Sequence, residues 1–378
     1  MIVNPARGVG ARLRNDYLRY ERMDICEVYL FIINNIFRTE FLWCWYTLVY
    51  KDRYGRPLEA LRLIVTQRCN YTCTFCHREG DLYNGRSELK LKHYEVLARG
   101  ASGVGVVEYK LTGGEPLLRN DIADIIRILV KYSAKVSLTT NGSLLKQKAA
   151  ELADSGLHHI NVSLHSLRED KFKEITGGDL SSVLEGVETA LSFGLKTKIN
   201  TVILKENLDE IDDIIEYASN KGIDVNLIQL MPVFYYERDP VRRVELYRKL
   251  NGDVWLIEEG LRKKASRIEL RQPHNRTVYV MPSGIEVTVI KGYSNPFACI
   301  TCTRMRITHD GLIKTCLYRE NPVVDLRECL EKEDEVCVQR RLLEALMLRE
   351  PGFKLPYQLS FTSQSPGLSR REGSQIGE

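Results

Sequence analysis

The sequence predicts an α/β fold: an open partial barrel of six β/α units, with a doubly wound sheet as the alternative. Two observations carry this prediction. Six apolar, β-rich runs fall at Leu61–Val65, Val106–Leu111, Lys135–Leu138, His159–Leu164, Lys198–Leu204 and Val225–Leu230. Helical patterns separate them at Tyr94–Arg99, Ile122–Tyr132, Leu144–Asp154, Val183–Phe193 and Leu208–Asn220. Such alternation makes parallel β/α units, and near-continuous apolar strands suit a sheet covered on both faces. The second observation is where polar residues collect. Thr112-Gly113-Gly114-Glu115-Pro116 follows the second run and Thr139-Thr140-Asn141-Gly142 ends the third. Ser163 and His165 end the fourth, Lys198 and Asn200 line the fifth, and Met231-Pro232 ends the sixth. In a β/α barrel the C-terminal strand ends carry the active site.

The individual elements follow from local chemistry. Asn120 and Asp121 are placed to cap the helix from Ile122, and Gly156 and Gly222 stand where helices should stop. From about Asp239 the rhythm breaks. Residues 240–275 are charged and mainly helical in pattern, and Thr277–Val280 and Ile285–Ile290 flank Met281-Pro282-Ser283-Gly284 as a hairpin. The tail from Thr362 has the polar, Gly- and Ser-containing composition of a disordered segment. The chain thus divides into an N-terminal extension (1–47), the partial barrel (48–239), a C-terminal domain (240–352) and a polar tail (353–378). The stretch 29–50 is apolar and aromatic, but Asn34, Asn35, Arg38 and Glu40 interrupt it, which argues against a membrane span. It reads as an extra helix, or as sequence upstream of the working start.

A chain of 378 residues accommodates two domains, and its net charge of +4 gives no case for a nucleic-acid-binding surface. Of ten cysteines, six form two tight groups, Cys69/Cys73/Cys76 and Cys299/Cys302/Cys316, while Cys26, Cys44, Cys329 and Cys337 are scattered. Grouped cysteines in a large chain read as metal ligands in a reducing compartment, not as disulfides.

The segment Cys69-Asn70-Tyr71-Thr72-Cys73-Thr74-Phe75-Cys76 sets three thiols at C-x3-C-x2-C spacing, just after the first strand. Three thiolates this close can ligate three irons of one iron–sulfur cluster and leave the fourth open. The bland alternative is zinc, but zinc sites usually add a second C-x2-C pair. Cys299, Cys302 and Cys316, at C-x2-C-x13-C, again offer three thiols; half a zinc ribbon with His309 as fourth ligand is the alternative. Gly113 and Gly114 would let backbone groups approach a small ligand, although Gly-Gly alone is usually a turn.

With an aromatic before its last cysteine, the first motif resembles that of the radical S-adenosylmethionine (SAM) enzymes. The resemblance spans about residues 51–350, through Asp52-Arg53-Tyr54-Gly55-Arg56-Pro57, Arg62, Cys69–Cys76, Leu111–Leu117, Leu138–Gly142, Ile160–Leu167, Lys198–Leu204, Leu230–Val233 and Cys299–Leu317. With Arg304 and Arg306 straight after the second cysteine pair, it resembles one family, the GTP 3′,8-cyclases of molybdenum cofactor biosynthesis. That resemblance implies an incomplete β/α barrel closed by a C-terminal domain. It implies a [4Fe–4S] cluster on Cys69, Cys73 and Cys76 that chelates SAM, with Phe75, Gly114, Ser163 and Met231 contacting SAM. It implies a second [4Fe–4S] cluster on Cys299, Cys302 and Cys316 facing the guanine base, and GTP contacts from Arg62, Lys110, Thr139, Lys198, Arg304 and Arg306. No side chain is then the catalyst; cluster-bound SAM carries the radical chemistry that gives 3′,8-cyclo-7,8-dihydro-GTP. A cytoplasmic enzyme follows, with an electron donor, hand-off of product to the next enzyme and a homodimer as one option. Arg304 and Arg306, two apart in an extended segment, should share one face.

The sequence departs from the family pattern at Lys110, Phe75 and Gln67, where Arg, Tyr and Asp are common, and it ends Gly377-Glu378 where many relatives end Gly-Gly. Lys keeps the charge at 110 but loses the planar fork. Two rival readings stand beside the cyclase: a radical SAM enzyme that modifies a peptide, and a non-catalytic zinc-binding scaffold.

Overall fold

The computed structural model describes residues 50–81, 85–234, 237, 239–272, 274–292, 295–319 and 322–350. The expectations for residues 1–47 and for the tail 353–378 lie outside the described residues. Among the described residues no helix is long and apolar enough to cross a membrane.

The strands are β1 (Ala60–Ile64), β2 (Glu108–Thr112), β3 (Lys135–Thr140), β4 (His159–Ser163), β5 (Thr197–Ile203), β6 (Asp224–Gln229), β7 (Arg267–Arg271), β8 (Arg276–Val280), β9 (Glu286–Ile290), β10 (Arg304–Ile307), β11 (Leu312–Lys314) and β12 (Val324–Asp325). They form one sheet in the order β12-β11-β10-β1-β2-β3-β4-β5-β6-β9-β8-β7. β1 to β6 pair in parallel in chain order, which gives the six β/α units expected. Helices Leu91–Ser102, Ile122–Val130, Leu145–Ala153, Leu180–Ser192 and Ile211–Lys221 connect them. Asp121 does stand at the start of its helix, but its carboxylate binds Arg119 twice at 2.8 Å instead of capping. Gly222 ends its helix at φ 67° and Gly156 turns the chain at φ 83°.

The sheet is not apolar on both faces, as the sequence suggested. On its outer face Leu61, Leu63, Tyr109, Leu111, Val136, Leu138, Ile160, Val162 and Ile199 are buried in one core with the helices. On its inner face Arg62, Lys110, Thr139, Asn161, Lys198 and Asn226 remain partly exposed. The strands alternate because one face packs against the helices and the other does not.

The hairpin β8–β9 forms as expected, but β9 also pairs in parallel with β6, and β10 pairs in parallel with β1. The C-terminal segment therefore extends the barrel sheet at both ends. Residues 240–275 are mainly helical as expected, with helices Pro240–Leu250 and Val254–Lys264, and β7 lies near the end of the stretch. Its alternation is only five residues long, and at the sheet edge its Ile268 and Leu270 face solvent. Cys329 and Cys337, two of the scattered cysteines outside the two thiol groups, are bonded, joining helices Arg327–Glu331 and Glu335–Met347.

Candidate active site

The loop after β1 is shaped by the end of β2. Gly114 N donates to Thr66 O and Glu115 N to Arg68 O, both at 2.8 Å. A Cβ on Gly114 would lie 2.1 Å from Arg68 O. The glycine is thus required for backbone-to-backbone contact with the cysteine loop. Glu115 is buried and accepts from Leu117 N, Thr140 Oγ1 and Asn141 N at 2.9, 2.7 and 2.6 Å, which ties the ends of β2 and β3 together. Burial pushes its carboxyl up to about 7 against these three donors. On the other side, Thr72 N and Thr74 N donate to Thr176 O and Ile175 O at the end of the helix Glu169–Thr176, which the sequence reading did not foresee.

Within this loop Cys69 is exposed while Cys73 and Cys76 are half-buried. Burial, with the neighbouring charges of Cys76 and Cys69, pushes Cys73 up to about 12. A cation bound here would relieve that repulsion and deprotonate the thiols. Phe75 packs edge-on against His165, with ring centroids 4.7 Å apart. Burial pushes His165 down to about 3, and its Nδ1 accepts from Val202 N, so the ring is neutral with its proton on Nε2. Ser163 ends β4 beside Asn200 of β5.

The second thiol set is held by buried arginines. Cys299 lies on the one-turn helix Phe297–Ile300, Cys302 just before β10 and Cys316 just after β11. Arg56, paired with Asp52 at 2.7 Å, donates to Cys299 O at 2.9 Å, and Arg349 donates to the carbonyls of Pro57 and Cys302. Burial pushes the Cys302 thiol up, but the charges of Arg304 and Arg349 outweigh it and bring it below its ordinary value. Met231 packs with Val233, Leu317, Tyr318 and Cys316. His309 is occupied elsewhere, its Nδ1 2.7 Å from Asp81 Oδ2. Among the described residues no three or more His, Cys, Asp or Glu side chains converge on a point for a single metal ion.

Cations line the inner face. Arg306, Arg62 and Lys110 stand side by side across β10, β1 and β2, and Thr139, Asn161 and Lys198 do so across β3, β4 and β5. Arg304 and Arg306 share this face, as their spacing predicts, because Met305 and Ile307 turn into the core at 0% and 1% exposure. Several cations bring carboxylates: Arg62–Glu79 at 2.6 Å, Arg306–Glu79 at 3.6 Å, Lys110–Glu108 at 2.9 Å and Lys198–Asp224 at 2.9 Å. Burial raises the Glu79 carboxyl, but Arg62, His77 and Arg306 outweigh it and hold the group well below the carboxylate range. Burial pushes Lys110 down to about 8, partly offset by Glu108. Arg78 and Glu79 adopt φ of 45° and 52°. Such strain in non-glycine residues gathers at functional sites, and no sequence signal announces it here. A cavity of about 170 Å³ opens beside Lys110 and Arg304.

The family model of the Radical SAM superfamily matches residues 63–218, and that of Molybdenum Cofactor Synthesis C matches 223–355. A Saccharolobus islandicus (strain M.14.25 / Kamchatka #1) protein named "Probable GTP 3',8-cyclase" is 41% identical over 313 residues, 80% of this chain and 98% of its own. Proteins of the same name from Thermococcus kodakarensis and Metallosphaera sedula are 41% and 39% identical, over 80% and 83% of this chain and 99% of theirs. The chain belongs to the GTP 3′,8-cyclase family. Each cysteine set of this family member lies within one of the two matched segments. Among solved structures, Streptococcus suis SuiB bound to precursor peptide SuiA has a TM-score of 0.57 at 16% identity, over 81% of this chain and 66% of that one. SuiB bound to S-adenosylmethionine gives 0.52 at 18% identity, over 72% and 65%. At that identity the likeness is one of fold.

Proposed function

We propose that this chain is a GTP 3′,8-cyclase, converting GTP to 3′,8-cyclo-7,8-dihydro-GTP for molybdenum cofactor biosynthesis. The observation that carries this reading is the row of inner-face cations, Arg306, Arg62 and Lys110, next to a segment holding three thiols, in a sheet whose first loop holds three more. Both donor sets are thiols alone, which is the donor chemistry of iron–sulfur clusters, and each stops one ligand short of a closed four-iron site. Cys69, Cys73 and Cys76 would hold one [4Fe–4S] cluster, and Cys299, Cys302 and Cys316 the other. When bound, the first cluster and SAM would supply the one-electron chemistry for hydrogen abstraction from the nucleotide.

The chain's own residues bind, orient and exclude water. Phe75, fixed by His165, offers a flat apolar wall for SAM, and the Gly114 backbone, Ser163 and Met231 complete that contact. Arg62, Lys110, Lys198, Arg304 and Arg306 neutralise the triphosphate, and Thr139 offers a hydroxyl. Arg56 and Arg349 grip the backbone carbonyls of Cys299 and Cys302 and so set where the second thiol set points. The reaction needs an electron donor and a further enzyme to consume the product, in the cytoplasm. A peptide-modifying activity draws only on 16% identity to SuiB, against 41% to the cyclases.

Anaerobic incubation of the iron-loaded chain with GTP, SAM and a strong reductant, followed by mass spectrometry, tests the reading. A cyclised isomer of GTP is expected, from brown protein. Colourless zinc protein, or SAM cleavage that never yields the isomer, would refute it.

A further inference from the structure

The turn between β7 and β8 belongs to one end of the sheet, yet it reaches the cavity beside β2 and β10 near the other end. Its attachment is specific. His274 Nδ1 lies 3.2 Å from Thr301 Oγ1, and Asn295 Nδ2 donates to the carbonyls of His274 and Asn275 at 3.1 and 3.4 Å. Thr301 already donates its hydroxyl proton to Phe297 O at 2.7 Å, so His274 is the donor in their contact. The turn is thereby pinned to the segment that carries Cys299 and Cys302. Asn275 adopts φ 46°, a left-handed conformation that asparagine tolerates, and delivers Arg276, the first residue of β8, to the cavity wall.

The charges around that wall do not balance. Lys110 has Glu108 at 2.9 Å, and Arg271 has Glu286 at 2.8 Å. The guanidinium groups of Arg276 and Arg304 form no hydrogen bond or ion pair among the described residues. Burial pushes Arg276 down to about 10, the charges of Arg304 and Arg62 push the same way, and Glu108 offsets them only in part. With Glu108 already paired to Lys110, these two half-buried guanidinium groups lack a carboxylate of their own, an excess of positive charge that an anion would relieve. The cavity, about 170 Å³, far exceeds the ~30 Å³ that one water occupies in the liquid. Guanidinium forks match phosphate oxygens in a bidentate way.

We propose that Arg276, positioned by His274 and Asn295, binds the polyphosphate tail of the nucleotide together with Arg304, and so selects a triphosphate over a monophosphate. The identity of that nucleotide as GTP rests on the cyclase reading; the polyphosphate site does not.

The test is calorimetry on the anaerobically reconstituted full chain with GTP, GMP and inorganic tripolyphosphate, for wild type, Arg276→Ala and Arg276→Gln. Arg276→Lys is the conservative control. Both neutral variants should bind GTP and tripolyphosphate at least tenfold more weakly, with GMP affinity within twofold and iron content equal to wild type. Arg276→Lys should recover part of the loss. Equal losses for GTP and GMP, or unchanged tripolyphosphate and GTP binding, would overturn the proposal. A wild type that cyclises GTP while Arg276→Gln binds it normally sinks this site and leaves the cyclase reading standing. A wild type that binds tripolyphosphate through Arg276 but yields no cyclised GTP does the reverse.

Discussion

Burial leaves the Lys110 ammonium easier to discharge than an ordinary lysine's, and this makes substrate binding depend on pH. Its ammonium, pushed down to about 8 mainly by burial, loses its proton as pH rises through that value. Only the charged form attracts phosphate, so above about pH 8 binding must take up a proton. GTP affinity should be level near pH 7 and fall by up to about tenfold per pH unit once Lys110 is neutral. Lys110→Arg should flatten the fall, since guanidinium does not titrate there. Isothermal calorimetry between pH 7 and 9.5 in buffers of different ionisation enthalpy would read both effects, and a profile unchanged by Lys110→Arg would assign the titration elsewhere. Arg304 and Arg306 act differently, as fixed charges on one face of β10. Replacing both with Ala should weaken GTP turnover at least tenfold, about 1.4 kcal/mol or more. Iron content and SAM binding should stay near wild type, because neither side chain is a thiol donor; unchanged cyclisation would place both outside the substrate site. These two residues were legible in the sequence because a spacing of two in a strand fixes a common face. Glu79, Arg56 and Arg349 were not. Each works through a partner distant in sequence, and a lone Glu or Arg carries no pattern.

Elements were legible where they had a periodic face to bury. The six parallel strands and five connecting helices follow from apolar rhythm, whereas β7, at the edge, buries almost nothing and was hidden among charges. The role of the Gly113-Gly114 turn was only half visible. Its need for glycine could be read, but its close contact with the carbonyl of Arg68 could not. That predicts a clean consequence for Gly114→Ala. The new methyl would meet backbone 2.1 Å away, which cannot swing aside as a side chain would. Relieving such overpacking costs about 1–3 kcal/mol and shifts the loop that carries Cys69. Iron per chain should fall toward half and SAM binding should be lost, while the second thiol set keeps its iron. Full iron loading in Gly114→Ala would show that the two loops move independently.

For the molecule as a whole, the sequence reading missed how its two halves join. Nothing local in β9 or β10 tells that one continues the sheet beyond β6 and the other beyond β1. The final helix then packs on the helix Leu91–Ser102, where a Cβ on Gly100 would lie 2.6 Å from Val338. The Cys329–Cys337 bond, eight positions apart, ties that helix to the short helix before it. A loop of this length restricts the unfolded chain by about 2.5 kcal/mol. Cys329→Ser/Cys337→Ser should therefore melt earlier by a corresponding amount, with GTP turnover at low temperature unchanged. A variant that melts with wild type would mean that the bond contributes nothing to the folded state.

The pairing of β1 with β10 also sets an order of events during synthesis. β1 leaves the ribosome early, and its neighbour on one side is among the last strands to be made. Until then β1 and β6 present bare edges, each a template for a strand from another chain. Such distant pairing is slow, since the chain must close a long loop before the contact repays it. A nascent chain stopped near Asp239 should aggregate, while one extended past Arg349 should not; sedimentation of the two fragments after expression would tell. The same delay bears on the metal. The Cys69 loop follows β1 directly, so it is complete while one edge of β1 is still unpaired, and iron delivered before β10 docks would bind beside an open strand.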